Sequence, residues 1–400
     1  MSSHKSRLDS LISKLCPRGV EFLELEKVMR RHKGTKITAT QMKVLHKNGA
    51  SVKIFAVGKT YAQVDFSDIP KNNIYQIPSV IVKSRGVIEF EYYDKPFTHK
   101  NEFWSYFSDN DNINIKFVFY YLKEKEPYFQ KLASKMQMPQ ISLPDTQKFK
   151  IPLPPLPIQQ EIVRILDTFT NLEAELEAEL EARKKQYEYY RRNLLASDKS
   201  GRLKALGEIA LHVSSGGTPL ANKPDYYENG NIPWLRTQEV KFTDIWKTEN
   251  YITEKAIKES SAKWIPENCV IIAISGATAG RSAINKIPLT TNQHCCNFQI
   301  DPKLANYRYV FHWVSSLYSE IKSMGQGARS DLNASLIKSV KIVIPSLREQ
   351  EKIVSILDKF DALVNDISIG LPAELAARRQ QYEYYRDTLL TFKERTTPLP

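Results

Sequence analysis

Cysteine is scarce in this chain of 400 residues: Cys16, Cys269, Cys295 and Cys296 are all there are. None forms a C-x-x-C pair, and neighbouring Cys295 and Cys296 are poorly placed to bond to each other. Free, mostly buried thiols in a cytoplasmic protein are expected, not a disulfide framework. Long apolar runs are missing too. No stretch reaches the roughly 18 residues of a spanning helix. Basic, polar Met1–Arg7 has no apolar segment behind it, so a secretory signal is not expected. The seven histidines are scattered and suggest no metal site. Enzyme signatures are also lacking. There is no G-x-S-x-G, no H-E-x-x-H, and no N-P-P-[YF] or D-P-P-Y, although Asp301-Pro302 begins one. No catalytic residue is therefore assigned.

Charge is present in excess of one sign. The chain carries 57 Lys and Arg against 45 Asp and Glu, a net +12. Residues 1–150 hold 25 basic against 15 acidic side chains, and residues 201–340 hold 16 against 12. Residues 151–200 hold 7 against 9, and residues 341–400 hold 9 against 9. A polyanion would meet the two basic regions. A merely soluble basic protein is the alternative on charge alone.

The most informative stretch occurs twice. Gln186-Tyr187-Glu188-Tyr189-Tyr190-Arg191 precedes Leu194-Leu195, and Gln381-Tyr382-Glu383-Tyr384-Tyr385-Arg386 precedes Leu389-Leu390. Each copy closes a long helical pattern, and the two patterns open alike: Ile162-Val163, Ile165-Leu166-Asp167 and Phe169, then Ile353-Val354, Ile356-Leu357-Asp358 and Phe360. The openings match at an offset of 191 residues (162 to 353) and the ends at 195 (186 to 381). Such self-similarity reads as a duplication. The expected division is residues 1–150, a globular region with a short N-terminal helix; 151–200, a long helix; 201–340, a second globular region; and 341–400, a second long helix.

In the globular regions, Leu8, Leu11, Ile12 and Leu15 form an amphipathic helical stripe ended by Pro17 and Gly19. Glu21–Met29, Ser51–Val57, Val80–Val82, Val87–Tyr92 and Val270–Ser275 read as strands. Asn114–Leu122, Tyr128–Ala133 and Tyr307–Tyr318 read as helices. The class is α+β. Pro152, Pro154, Pro155 and Pro157 form a stiff connector, and the first long helix should start at Pro157 or Ile158. Its inward positions are Ile162, Ile165, Phe169, Leu172, Leu176, Leu180, Tyr187, Tyr190 and Leu194, which is coiled-coil spacing. Uninterrupted from Ile158 to Ala196, it would be roughly 55–60 Å long. Ser346 and Glu349 have the spacing of a capping box for the second helix. Gly370 and Pro372 predict a kink or short break near 369–372. Two such helices can bury each other's stripes as an antiparallel coiled coil. The globular parts would then lie at opposite ends, related by a pseudo-twofold axis.

Taken together, these features resemble the specificity subunits of Type I restriction–modification systems. The marks are both Gln-Tyr-Glu-Tyr-Tyr-Arg ends, the proline-led entries Ile151–Gln160 and Ile342–Gln350, and the opening Ser6-Arg7-Leu8 through Val20. The second globular region adds Gly216-Gly217-Thr218-Pro219, Ile232-Pro233-Trp234, Gly276–Gly280, Thr291-Asn292-Gln293, and Gly327-Ala328-Arg329 with Leu332-Asn333. The first region departs, with Lys33-Gly34-Thr35-Lys36 and Ser84-Arg85-Gly86 at the corresponding places. The resemblance implies two target recognition domains, each reading half of a split double-stranded DNA site, with conserved helices setting their distance. It implies that the chain binds no cofactor and does no chemistry. It would hold two methyltransferase subunits using S-adenosylmethionine and, in the full complex, two restriction subunits using ATP and Mg. Leu172, Leu176 and Leu180, spaced by Glu-Ala-Glu, are the expected ruler between half-sites.

Base readout needs paired donors and acceptors, Arg or Lys for guanine and Asn or Gln for adenine. The candidates are Arg236, Gln238, Asn292, Gln293 and Arg329 in the second region, and Arg85, His99, Lys100, Asn101 and Gln137 in the first. Phosphate contacts need only charge, which nominates Lys33, Lys36, Lys43, Lys47, Lys59, Lys223 and Lys241. The turn Gly276–Gly280 lacks the lysine of a nucleotide loop; it is expected to admit a DNA phosphate beside Arg281, or to be a plain turn. Tyr189 and Tyr384 lie off the inward stripes and are candidate partner contacts. Each candidate competes with a solvated surface side chain. An enzyme with an unrecognised motif and a coiled-coil scaffold that never touches DNA are the other readings.

Overall fold

The computed structural model describes residues 2–58, 60–133, 138–196, 201–325, 331–366 and 368–395. The chain divides into two compact units, Met1–Glu175 with Ala376–Pro400, and Leu176–Leu375. Both divisions fall inside helices, Leu156–Ala196 and Leu371–Leu389. The end of each repeat's helix therefore belongs to the unit built on the other repeat.

In the first unit, Glu21–Glu24 pairs antiparallel with Lys150–Leu153. The strand expected over Glu21–Met29 stops there and becomes a single helical turn, Leu25–Val28. Leu25 and Met29, four apart, are buried while Lys27 between them is exposed, a helical rather than an alternating pattern. A four-stranded antiparallel sheet comes next, in the order Arg30–His32, Trp104–Phe107, Ser79–Lys83, Glu89–Tyr93. A three-stranded sheet has the order Tyr61–Val64, Val52–Phe55, Phe97–His99, and its last pair is parallel. Helix Ile115–Glu124, capped by Asn114, buries Phe117, Val118, Tyr121 and Leu122 in the same core as Val80, Val82 and Phe90 of the larger sheet. Helix Glu126–Ala133 comes directly after it.

The second unit repeats this plan. Arg202–Ala205 pairs antiparallel with Lys341–Ile344. One sheet has the order Ala210–Ser215, Cys295–Ile300, Val270–Ala273, Ser282–Asn285, Asp244–Ile245. The other has the order Asn250–Ile252, Ile232–Leu235, Leu289–Thr291, Trp264–Ile265, and again its Ile232–Leu235 and Leu289–Thr291 strands run parallel. The helix expected over Tyr307–Tyr318 is two, Tyr307–Ser316 and Tyr318–Ser323, hinged at Leu317.

One glutamine in each unit ties the globular part to its helix. Gln159 donates to Pro154 O (2.7 Å) and Asn112 O (3.1 Å) and accepts from Asn114 N (2.8 Å). Gln350 donates to Pro345 O (2.9 Å) and Leu304 O (3.3 Å) and accepts from Asn306 N (2.7 Å). An aspartate two turns on repeats the tie. Asp167 accepts from Lys116 (2.8 Å) and Tyr120 (2.7 Å), and Asp358 from Arg308 and from His312 Nε2 (both 2.6 Å). Burial opposes the charge on Asp358, but the His312 and Arg308 bonds outweigh it and hold its pKa below the usual range.

Helix Leu156–Ala196 is unbroken over 41 residues. Ile162, Ile165, Phe169, Leu176 and Tyr187 are buried as the stripe requires; Tyr190 sits at its rim. The second long element is broken into Leu347–Asn365 and Leu371–Leu389. The break starts a turn earlier than expected because Asp366 accepts from Ser368 N (2.7 Å), an arrangement competing with helix. Ser346 Oγ accepts from Glu349 N (3.3 Å) at the start of the first segment. In the first unit Phe169 stacks on Tyr385 (5.3 Å, 27°) and Glu173 pairs with Arg379 (2.6 Å), so these helical segments run antiparallel. In the second unit Phe360 stacks on Tyr190 (5.3 Å, 23°). Near the start of the first unit, Val20 N donates to Lys393 O (2.9 Å) and Arg395 N to Val20 O (2.8 Å).

Candidate nucleic-acid interface

The parallel strand pair in each unit ends at a cluster of loops, and backbone hydrogen bonds put the two clusters in register. Thr35 N donates to His99 O (2.7 Å) and Lys100 N to Phe55 O (3.0 Å). In the second unit Gly217 N donates to Thr291 O (2.9 Å) and Asn292 N to Leu235 O (2.9 Å). Lys100 and Asn101 thus answer to Asn292 and Gln293, and Ala56-Val57-Gly58 to Arg236-Thr237-Gln238. Ile141 N to Ser84 O (3.0 Å) and Leu332 N to Ile274 O (2.8 Å) likewise match Arg85-Gly86-Val87 with Ser275-Gly276-Ala277. Gly34 makes this convergence possible in the first unit, since a Cβ there would stand 2.5 Å from Asn101 Cα and Lys100 O. Gly216 is pressed against Thr291 in the same way.

In the first unit the cluster gathers Lys33, Lys36, Arg85, Lys100 and Asn101. Lys33, Lys36, Arg85 and Asn101 are exposed. Lys33 O accepts from Tyr75 OH (2.8 Å). Lys100 pairs with Glu102 (2.7 Å), whose carboxylate also lies in the field of Arg85. Ser84 Oγ donates to Glu102 O, and Arg85 Nε to Met138 Sδ (3.0 Å). Lys43 is exposed on helix Ala39–Leu45. One expectation is corrected here. His99 is fully buried, its Nε2 3.2 Å from Ser105 Oγ, and burial pushes its pKa down to about 4; it is a neutral core side chain with no access to a base. Lys47, half in solvent, pairs with Asp65 (2.6 Å) and Asp68 (3.0 Å) at the surface.

In the second unit the cluster gathers Arg236, Gln238, Asn292 and Gln293. Gln238 is exposed and Arg236 half-buried. With its amide oxygen toward Arg236, Asn250 accepts from Nη2 (3.1 Å) and Nε (3.2 Å) and fixes the guanidinium. Gln293 accepts from Thr218 Oγ1, and its Nε2 lies 3.1 Å from His294 Nε2. Asn292 is corrected: it is buried, and its Oδ1 takes His294 N (3.2 Å) and Cys295 Sγ (3.3 Å), a turn-forming rather than base-reading use. Lys223 contacts Tyr226 OH (2.9 Å), and Lys241 is exposed.

The turn Gly276–Gly280 does not offer a free amide at Gly276, whose N–H donates to Asp331 (3.3 Å). Arg281 leaves this turn for Tyr318; with Lys322, the stronger influence, it holds the phenol below its usual pKa. Lys59, Gln137 and Arg329 lie outside the described residues. Tyr189 and Tyr384 are exposed, each edge-on to the next tyrosine (5.6 and 5.5 Å, both at 76°). The sequence reading missed Glu102, Glu239 and Asn250. Glu239 accepts from Arg236 N (3.2 Å) and Glu249 N (2.7 Å), and no spacing marks it. Among the described residues no metal-holding group of His, Cys, Asp and Glu is found, and no helix is long and apolar enough to cross a membrane.

Comparison with known proteins reproduces the same duplication. Residues 17–182 and 199–377 match the family described as the Type I restriction modification DNA specificity domain. The specificity subunit of the type I restriction enzyme EcoR124I/EcoR124II of Escherichia coli is 41% identical over 303 residues, 72% of this chain and 74% of that protein. A putative type I restriction enzyme specificity subunit of Haemophilus influenzae is 30% identical over 348 residues, 83% of this chain and 87% of that one. The crystal structure of a Type I restriction–modification S subunit from M. genitalium aligns with TM-score 0.62 at 15% identity, covering 93% of this chain and 96% of that chain. A chain from a structure of type I restriction–modification complex assembly aligns with TM-score 0.55 at 16% identity, covering 94% and 98%. At these identities the two structures speak to the fold.

Proposed function

Because this chain belongs to the family of Type I restriction modification DNA specificity domains and matches it twice, we propose that each of its two units reads one half of a split double-stranded DNA site. The chain is the specificity subunit of a Type I restriction–modification system. The observation that carries the finer reading is the loop cluster built twice on one backbone plan with different side chains. Asn101 stands in one unit where Gln293 stands in the other, and Arg85 where the other has Ser275. A common scaffold with divergent tips is what reading two unlike half-sites requires, since phosphate contacts fix position and base edges carry the sequence.

Catalysis belongs to partner subunits in this reading: methyltransferase subunits that use S-adenosylmethionine, and restriction subunits that use ATP and Mg. The chain itself binds no cofactor and works in the cytoplasm. Tyr189 and Tyr384, exposed in matching geometry, are equivalent contacts for two copies of the methyltransferase subunit. The variants Y189A and Y384A should each weaken co-purification of that subunit, and the double variant should abolish it with little change in melting temperature. Undiminished co-purification would remove these residues from the interface. The central test is to map methylated adenines in cells with and without the gene. A two-part motif lost on deletion is expected; an unchanged pattern, or an uninterrupted motif, overturns the reading.

A further inference from the structure

We propose that the first unit reads a thymine through its 5-methyl group, with Val57 and Val87 as the reading side chains. The inference rests on the reading that this unit's loop cluster faces duplex DNA. Val87 is 57% exposed, Met138 53% and Val57 37%, on three loops that converge. A Cβ on Gly86 would stand 3.2 Å from Val57 Cγ1, Gly86 N donates to Pro139 O (2.9 Å), and Arg85 Nε reaches Met138 Sδ at 3.0 Å. These apolar tips share the cluster with Arg85 and Lys100.

Val87 and Met138 keep more than half of their surface in water and Val57 more than a third, side by side at the loop tips and outside the core. The cations around them favour a polyanion. Within the major groove of a duplex, the thymine methyl is the one apolar group a protein can read. Behind Val57 the surface continues into a recess of about 450 Å³ lined by Met42, Ala56 and Tyr61, with Lys43 and Lys100 among its walls. A methyl group against Val57 and Val87 would leave the exposed Lys43 facing the flanking phosphates, with Lys100 held beside it by Glu102. The apolar pair belongs to this unit and not to the fold, since the matching positions of the second unit are buried Thr237 and the smaller Ala277.

The test uses the full chain in its complex and a duplex bearing its mapped site, with each thymine replaced in turn by deoxyuridine, which lacks only the methyl. At one or two positions in one half-site, binding should weaken roughly four-fold, about the worth of one buried methyl group. The double variant V57S/V87S should bind thymine and deoxyuridine duplexes equally at those positions while retaining its melting temperature and its response in the other half-site. If the chain keeps its preference for the mapped site but no deoxyuridine position matters, or the variant discriminates as before, the methyl-reading proposal fails and the reading of the unit stands. If the chain shows no preference for the mapped site over unrelated duplex, the underlying reading fails instead.

Discussion

Two residues of the first unit show how far a sequence motif can mislead about chemistry. His99 precedes Lys100 and Asn101 and looks like part of a polar reading loop. It belongs to Phe97–His99, a strand buried along its whole length. Strands covered on both faces show no alternation to warn the reader. His32, in the same unit, is clamped between Tyr75 (3.7 Å, 19°) and Phe107 (4.1 Å, 8°), and its Nε2 has no hydrogen-bond partner. Burial pushes both imidazoles from 6.5 down to about 4. The unfolded chain takes up these protons near pH 6.5 and the folded chain only near pH 4. Stability from the neutral rings is therefore complete above pH 6.5 and is lost as pH falls toward 4, by up to about 3 kcal/mol per ring. The melting temperature should fall between pH 7 and pH 5. His32→Phe keeps the stack and removes one titrating group, so its melting temperature should fall less over that interval. An equal fall would mean that His32 contributes nothing to the acid response.

At the scale of elements, periodicity located most helices and strands but not their joints. Tyr307–Tyr318 looked continuous because its aromatic spacing carries through Leu317, where the backbone turns. The joints that matter most are Gln159 and Gln350. Their side chains reach partners more than 40 residues away, as Gln159 does to Asn112 and Asn114, so no local pattern could reveal them. Each closes three main-chain groups, two carbonyls and the N–H of the residue that caps the next helix. Replacing Gln350 by Leu fills a similar volume and leaves Leu304 O, Pro345 O and Asn306 N without this partner. An unsatisfied buried polar group costs about 1–3 kcal/mol, and partial rehydration lowers the sum, so a loss of roughly 2–4 kcal/mol is expected. Chemical denaturation of the variant checks this. Gln159→Leu should show a similar loss in the first unit, because its hydrogen bonds are the same. A loss below about 1 kcal/mol in both would mean that water replaces the side chain and that the aspartate ties suffice.

For the whole molecule, the duplication was legible from an offset of 191 residues, from Ile162 to Ile353. So was the exchange of helix ends between repeats, which the antiparallel pairing expected of the two stripes requires. Phe169 meets Tyr382 and Tyr385, whereas the identical motif of its own helix, at Tyr187 and Tyr190, meets Phe360. Two equal motifs alone would allow either pairing; the uninterrupted helix Leu156–Ala196, expected from a stretch without proline or glycine after Pro157, excludes the local one, because a straight helix cannot fold back on itself. That same continuity makes the segment Leu172–Leu180 a candidate ruler. Removing one Glu-Ala-Glu-Leu unit shortens the helix by roughly 6 Å and rotates its C-terminal part by only about 40°, so the leucine stripe keeps its face. The two-part motif methylated in cells should then have a spacer shorter by one to two base pairs, at about 3.4 Å each, with both half-sites unchanged. Deleting two residues instead turns the stripe by about 200° and should abolish site-specific methylation. A four-residue deletion that leaves the spacer as it was would show that helix length does not set it.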